Sequence, residues 1–369
     1  ASAVASSFSA AADTFPAGSA LLEGLDPTPA KELAARFGLE LRGIRALPEG
    51  KRHALDLPRV ALYHTWVYTQ DEGWARFTFE QAGVPYTSIH KDDLRGGGLR
   101  RRFDVVVVPS TGGASLESLI HEHDRRFGPM PFTKTAAYPS HGTPSSTPDM
   151  TGGPGFEGLA ELQRFVEEGG VIVALEAATR LLAETGIARP LDPLTPRNLF
   201  HPGSVVRVKA RRPDHPILFG YPEVTHVFRG AGPLYQVAKR HRDLIVLQYG
   251  TKKLRDEEED TVRTAMLGIP EPPPVPAEAT PAAAAPRDSA AADGRAGPGR
   301  DPSEYVLSGM VRGQDEILGQ GAIFDVPVGR GRVLAFTFNP LHRFLNHHEF
   351  AMVWNALLFW NDLGEAPPE

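Results

Sequence analysis

The sequence predicts an α/β fold: a doubly wound, mostly parallel sheet with a strand-rich second half. Two observations point there. Short, wholly apolar runs such as VVVV (105–108) and VIVAL (171–175) recur between segments of helical period, the pattern of parallel strands buried on both faces. After residue 203 the helical periods give way to closely spaced strand runs, so the second half extends the sheet or packs on its edge.

Taken in order, RVALYHT (59–65) reads as the first strand, residues 71–82 as a helix, YTSI (86–89) as the second strand and FDVVVVPS (103–110) as the third. A helix near 114–122 follows. In GLAELQRFVEEGG (158–170), Leu159, Leu162, Phe165 and Val166 share one helical face and Gly169-Gly170 end the helix. The strand at 171–175 follows at once. Strands are then expected at 204–210, 225–230, 244–250, 305–311, 321–328 and 332–339, and a last helix at 350–363. Its Val353, Trp354, Leu357, Leu358 and Trp360 fall at core spacing.

This divides the chain into an extension, 1–57, with a helix from 29 to 37; a main domain, 58–251 and 304–369; and an insertion, 252–303. The insertion is rich in Pro, Ala and charge, too poor in apolar residues to offset the entropy of ordering, and is expected to be mobile and dispensable. A second long loop, 124–156, is rich in Pro, Ser, Thr and Gly.

Composition narrows the function. At 369 residues, with 41% hydrophobic residues, the chain can bury a substantial core. The net charge of −6 argues against a nucleic-acid partner, and no apolar run reaches the roughly 18 residues of a membrane span. With no cysteine, disulfides, thiolate metal sites and cysteine nucleophiles are excluded.

Several runs together resemble one family. PRVALY (58–63), DEGWARFTFEQAGVPYT (71–87), LRRRFDVVVVPS (99–110), GGPGFEGLAELQRFVEEGGVIVAL (152–175), DHPILFGYP (214–222) and VPVGRGRVLAFTFNP (326–340) resemble the class I glutamine amidotransferase-like C-terminal domain of large bacterial zinc carboxypeptidases. FPAGSALLEGL (15–25) resembles the segment joining that domain to the peptidase. The resemblance implies a flavodoxin-like or amidotransferase-like α/β fold, a secreted or periplasmic location, and a peptidase domain as partner.

It implies no chemistry for this chain. In class I amidotransferases the turn after the strand at 171–175 presents the catalytic cysteine; here that position is Glu176. The carboxypeptidase zinc motif requires His followed three residues later by Glu, which none of the thirteen histidines satisfies. His90 and His121 are followed by Asp93 and Asp124. The expected function is therefore a non-catalytic accessory or binding domain without cofactor or metal. The alternative is a hydrolase or transferase using Glu176 or the His342–His348 cluster.

The candidate pocket is drawn from strand ends, because ligands of open α/β sheets bind beyond the carboxyl edge. His64, Ser110 and Glu176 follow three strands, and His342, Arg343, His347 and His348 follow a fourth. This mixture suits a small polar ligand such as a peptide carboxylate or a sugar, and Glu176 is expected at a strand-to-helix turn with its carboxylate on backbone N–H groups. His121, His123 and Asp124 could hold a divalent ion, or simply be a polar helix end. Asp71 and Glu72 read as helix-start carboxylates opposing the macrodipole. The glycines at 96–98 and 152–155 match no phosphate-loop spacing and read as turns.

Overall fold

The parallel half of the fold is built around three strands, Val60–Tyr63, Val105–Val108 and Val171–Leu175, whose every residue is buried. In the computed structural model, which describes residues 1–10, 13–252 and 305–363, β1 (Val60–Tyr63) leads through helix α1 (Gln70–Ala82) to β2 (Thr87–Ile89). Then come β3 (Val105–Val108), helix α2 (Gly155–Glu167), β4 (Val171–Leu175) and the short helix α3 (Thr179–Ala183). The second half supplies β5 (Ser204–Ala210), β6 (Val224–Arg229), β7 (Ile245–Tyr249), β8 (Val306–Gly309), β9 (Gly321–Val328) and β10 (Gly331–Phe336), closed by helix α4 (His347–Leu358).

These strands form one ten-stranded sheet, in the order β6-β5-β7-β9-β10-β4-β3-β1-β2, with β8 paired to β5 beside β7. From β2 to β10 every pairing is parallel. From β10 to β6 every pairing is antiparallel. The late strands thus continue the same sheet: β10 returns from the β9 hairpin and lies beside β4, in register from Arg332 opposite Val171 to Phe336 opposite Leu175. Gly331 permits that entry, since a Cβ there would stand 2.1 Å from the Gly170 carbonyl oxygen.

Alternate residues of the central strands feed two cores. Val60, Leu62, Val105, Val107, Val173 and Phe336 pack with Ala75 and Phe79 of α1 and Val353 and Leu357 of α4. On the other face Ala61, Val106, Ile172, Ala174 and Ala335 meet Leu159, Leu162, Phe165 and Val166 of α2. At about 25 cal/mol per Å² of apolar surface, these two layers supply the main driving force for folding.

The first 57 residues form a three-stranded sheet of Ala20–Leu21, Ser2–Val4 and Arg52–Ala54. Ala3 joins the core, and the buried His53 lies against Phe219 and Phe359 and hydrogen-bonds Asp362. The helix expected at 29–37 is Pro27–Phe37, stopped by Gly38 at φ 63°. Apart from residue 252, the 252–303 insertion lies outside the described residues. The 124–156 loop is held by its own hydrogen bonds: Asp149 accepts from the Met130 and Thr151 amides, and Phe132 pairs with Thr147. Among the described residues no helix is long and apolar enough to cross a membrane.

Candidate functional site

The strand order reverses at β1. Its connection through α1 goes outward to β2, whereas β3, β4 and β10 follow on the other side, so the carboxyl ends of β1 and β3 flank a topological switch point, where open α/β sheets bind ligands. Polar side chains collect at this edge in two clusters.

The first is built on Glu176. It directly follows β4 and adopts φ 48°, a left-handed conformation in a non-glycine residue, before a 3-10 turn leads into α3. Such a conformation costs about 1 kcal/mol or more and marks an imposed bend. Thr179 fixes the turn by donating its hydroxyl to the Glu176 carbonyl at 2.6 Å. The Glu176 carboxylate is not taken up by helix N–H groups as the sequence suggested, because a three-residue 3-10 turn offers no ring of free amides. Instead Ser110, two residues beyond β3 and buried, donates its hydroxyl to Glu176 Oε2 at 2.8 Å.

Asp71, at the start of α1, is the second carboxyl of this cluster and also lies within reach of the Ser110 hydroxyl. Asn339, beyond β10, donates to Asp71 Oδ1 at 3.2 Å and accepts the Leu341 amide. His342 stacks on Phe228 with centroids 5.0 Å apart and faces Asp71 electrostatically. Asp71, read as a helix-start carboxylate, thus belongs to the site. Burial pushes both acids above the usual carboxyl range. For Glu176 the Asp71 charge adds to that rise while Ser110 and Arg229 oppose it; for Asp71 the opposition comes from His342, Ser110 and Arg343. Burial also lowers His342, against the pull of Asp71.

The far wall is the turn after β6. A Cβ on Gly230 would stand 2.9 Å from Glu176 Oε1, and one on Gly232 would stand 2.8 Å from Glu176 Cγ and 2.3 Å from the Thr337 carbonyl oxygen. Only glycine leaves room for the carboxylate. Arg229, 2% exposed, holds this turn by donating to the carbonyls of Gly230 at 2.8 Å and Gly232 at 2.6 Å, with its guanidinium over the Tyr249 ring. By contrast, Cβ atoms on Gly112 and Gly113, beside Ser110, would meet nothing within 4 Å. Both glycines are exposed, while Ser110 itself is buried.

The second cluster surrounds His64. This residue, 4% exposed, has Nδ1 3.3 Å from Glu72 Oε2, and its ring meets Trp66 edge-to-face at 4.6 Å. Trp66 in turn contacts His90 and Phe132. Glu122, at φ 49°, accepts the Trp66 amide at 2.8 Å and the Tyr63 hydroxyl at 3.2 Å. Burial pushes its carboxyl up to about 7.

Of the seven residues drawn from strand ends, the fold brings Ser110, Glu176 and His342 together. Arg343 stands exposed at φ 51° near Asp71. His64 belongs to the second cluster. His347 turns back to the Phe344 carbonyl and stacks on Phe350, and His348 stacks on His226 with its Nε2 2.9 Å from the Thr225 hydroxyl. These two lie on helix α4 rather than beside Glu176, because the left-handed pair Arg343 and Phe344 turns the chain away. His123 contacts the Trp66 carbonyl and Asp124 caps the Arg126 amide. No group of three or more His, Asp or Glu among the described residues is arranged to hold a metal.

No protein-family model and no curated protein matches the sequence. Among solved structures, the chain is similar to a cytoplasmic protein from Salmonella typhimurium, at 12% identity and TM-score 0.41, covering 82% of this chain and 99% of that one. It is also similar to a protein described as ThuA-like from Bacteroides uniformis, at 12% identity and TM-score 0.40, covering 85% and 94%. A third, from Thermoplasma acidophilum, is described as a GMP synthase component and matches at 9% identity and TM-score 0.39, covering 82% and 93%. The chain is an α/β protein with ThuA-like structural neighbours at low identity. None of these three descriptions names a zinc carboxypeptidase.

Proposed function

We propose that this chain is a non-catalytic binding domain on an amidotransferase-like scaffold, its ligand site formed by Asp71, Ser110, Glu176, Asn339 and His342. The observation that carries this reading is the state of the elbow: the residue at the bend is a glutamate whose carboxylate is already engaged by Ser110 at 2.8 Å. A chain without cysteine offers no thiolate there. Two neighbouring carboxyls disfavour an anion and favour a hydroxyl-bearing ligand such as a sugar; a peptide carboxylate would have to use Arg343. Kinship to the accessory region of secreted or periplasmic zinc carboxypeptidases, with a peptidase domain as partner, rests on the sequence runs.

A second reading has its own support. Two carboxyls raised by burial beside one serine and an imidazole are groups that general acid–base catalysis uses, which favours a hydrolase or transferase. A panel of sugars, peptides, nitrophenyl esters and nitrophenyl glycosides separates the two. The binding reading expects saturable binding lost in Asp71→Asn and Glu176→Gln, with no product. Product formation that Glu176→Gln abolishes establishes the second reading.

A further inference from the structure

Buried polar atoms in folded proteins are almost always hydrogen-bonded, so a cluster of them without partners requires a chemical explanation. Around His64 there is such a cluster. Both His64 ring nitrogens, Trp66 Nε1, Glu72 Oε1 and Arg76 Nε are buried and find no hydrogen-bond partner among the described residues. His64, Trp66 and Glu72 are 4%, 8% and 3% exposed. The 3.3 Å between His64 Nδ1 and Glu72 Oε2 and the 3.8 Å between Arg76 Nε and Glu72 Oε1 are ion-pair distances, the first misaligned and the second too long for a hydrogen bond.

We propose that the His64–Trp66–Glu72 compartment is a second binding site, for an uncharged group that both donates and accepts hydrogen bonds. The donor and acceptor inventory selects that class. Trp66 Nε1 can only donate, which an ammonium cannot satisfy. Glu72 Oε1 accepts, which a carboxylate or phosphate cannot satisfy. A hydroxyl or a carboxamide answers both demands, and the imidazole of His64 completes either, since one of its nitrogens donates and the other accepts when neutral.

The 124–156 loop covers this compartment. Phe132 packs on Trp66 at 5.3 Å, and Thr147 donates to Asp92 at 2.9 Å. Both ends of the loop converge on Glu122, where Gly152 and Gly153 donate to the carbonyls of His123 and His121, each at 2.6 Å. Phe132 is thus the part of the loop that packs directly on Trp66.

The indole N–H of Trp66 reports the occupant directly. In proton–nitrogen spectra of the full chain, four indole signals are expected from four tryptophans, and Trp66→Phe assigns one of them. Titration with erythritol or glucose, and separately with acetamide, is expected to move that signal saturably and leave the other three in place. The stronger of the two titrants identifies the group as hydroxyl or carboxamide. Glu72→Gln is expected to weaken the binding about tenfold, and Trp66→Phe, which keeps the ring and removes the donor, by a similar factor, with His64 carbon-bound proton shifts as its readout. A Trp66 signal that exchanges with water and shows no saturable shift with either titrant overturns the proposal, as does an equal response in Trp66→Phe.

Discussion

The two polar clusters lie one strand apart at the same sheet edge, yet they differ in completion and access. Around Glu176 each carboxyl has a hydrogen-bond donor, Ser110 for Glu176 and Asn339 for Asp71, and Arg229 donates to the carbonyls of Gly230 and Gly232 while its Nε stays without a hydrogen-bond partner. Space beside Gly112 and Gly113 stays open. Around His64 five buried polar atoms lack hydrogen-bond partners, and Phe132 packs on Trp66. The same topological rule brings both sets of residues to the edge. What covers them then differs: Asp71 and Glu176 of the first stay part-exposed, and a long loop packs on Trp66 of the second. Part-exposed carboxyls suit reversible ligand capture, whereas buried, unsatisfied groups select a ligand by hydrogen-bond complementarity.

The sharpest way to break this comparison is at Arg229. Arg229→Met takes the donor from the carbonyls of Gly230 and Gly232 and removes a buried cation near Glu176, so denaturant unfolding should show a loss of about 4 kcal/mol, and the Glu176 carboxyl should titrate still higher. An unchanged midpoint would mean that the turn after β6 does not depend on the guanidinium.

In the second cluster, Glu122 gives a pH signature. Its folded-state value of about 7 lies above the ordinary 4.5, so the folded chain holds the proton more tightly than the unfolded chain. The stabilisation this provides is complete below pH 4.5 and is lost as pH rises toward 7, about 3 kcal/mol in all. Glu122→Gln cannot titrate and should lack that fall. Parallel stability curves for the two proteins would contradict the burial of this carboxyl.

The walls of the first cluster can be tested by adding a single methyl group. Gly232→Ala drives a Cβ against the Thr337 carbonyl and the Glu176 side chain and should cost about 2 kcal/mol and weaken ligand binding. Gly113→Ala meets nothing within 4 Å and should change stability by less than about 0.5 kcal/mol. The smallest effect is expected from His347→Ala and His348→Ala. Placed on α4 away from Glu176, each should alter affinity by less than about 0.5 kcal/mol.

The parallel half was legible because a strand buried on both faces must be apolar throughout, and VVVV and VIVAL are short, mostly β-branched runs of that kind. Strands 204–210 and 321–328 were read with the same limits the fold gives them. The pairing of β10 with β4 was not, since antiparallel hairpin signals say nothing about which older strand they join. Strand ends also led to Ser110, Glu176 and His342. Asp71 was missed because a carboxylate in a first helical turn has a sufficient local explanation.

Glu72 and Arg229 carried signals that went unread. Glu72 stands three and seven residues before Ala75 and Phe79, on the buried face of α1. Arg229 shares the inward parity of Val227 in β6. A charge at a core-facing position is expensive unless something holds it, and here that expense marks the two clusters. Glu122 and Trp66 lie in or beside loops, where no periodicity reports burial.

The proposal that Glu176 holds a ligand at the turn after β4 is tested most directly by running one ligand and substrate panel on the wild-type chain and on Glu176→Gln. Binding detected by calorimetry in the wild type, absent in the variant and accompanied by no product in either, is the predicted result. Product released by the wild type and not by Glu176→Gln would contradict it.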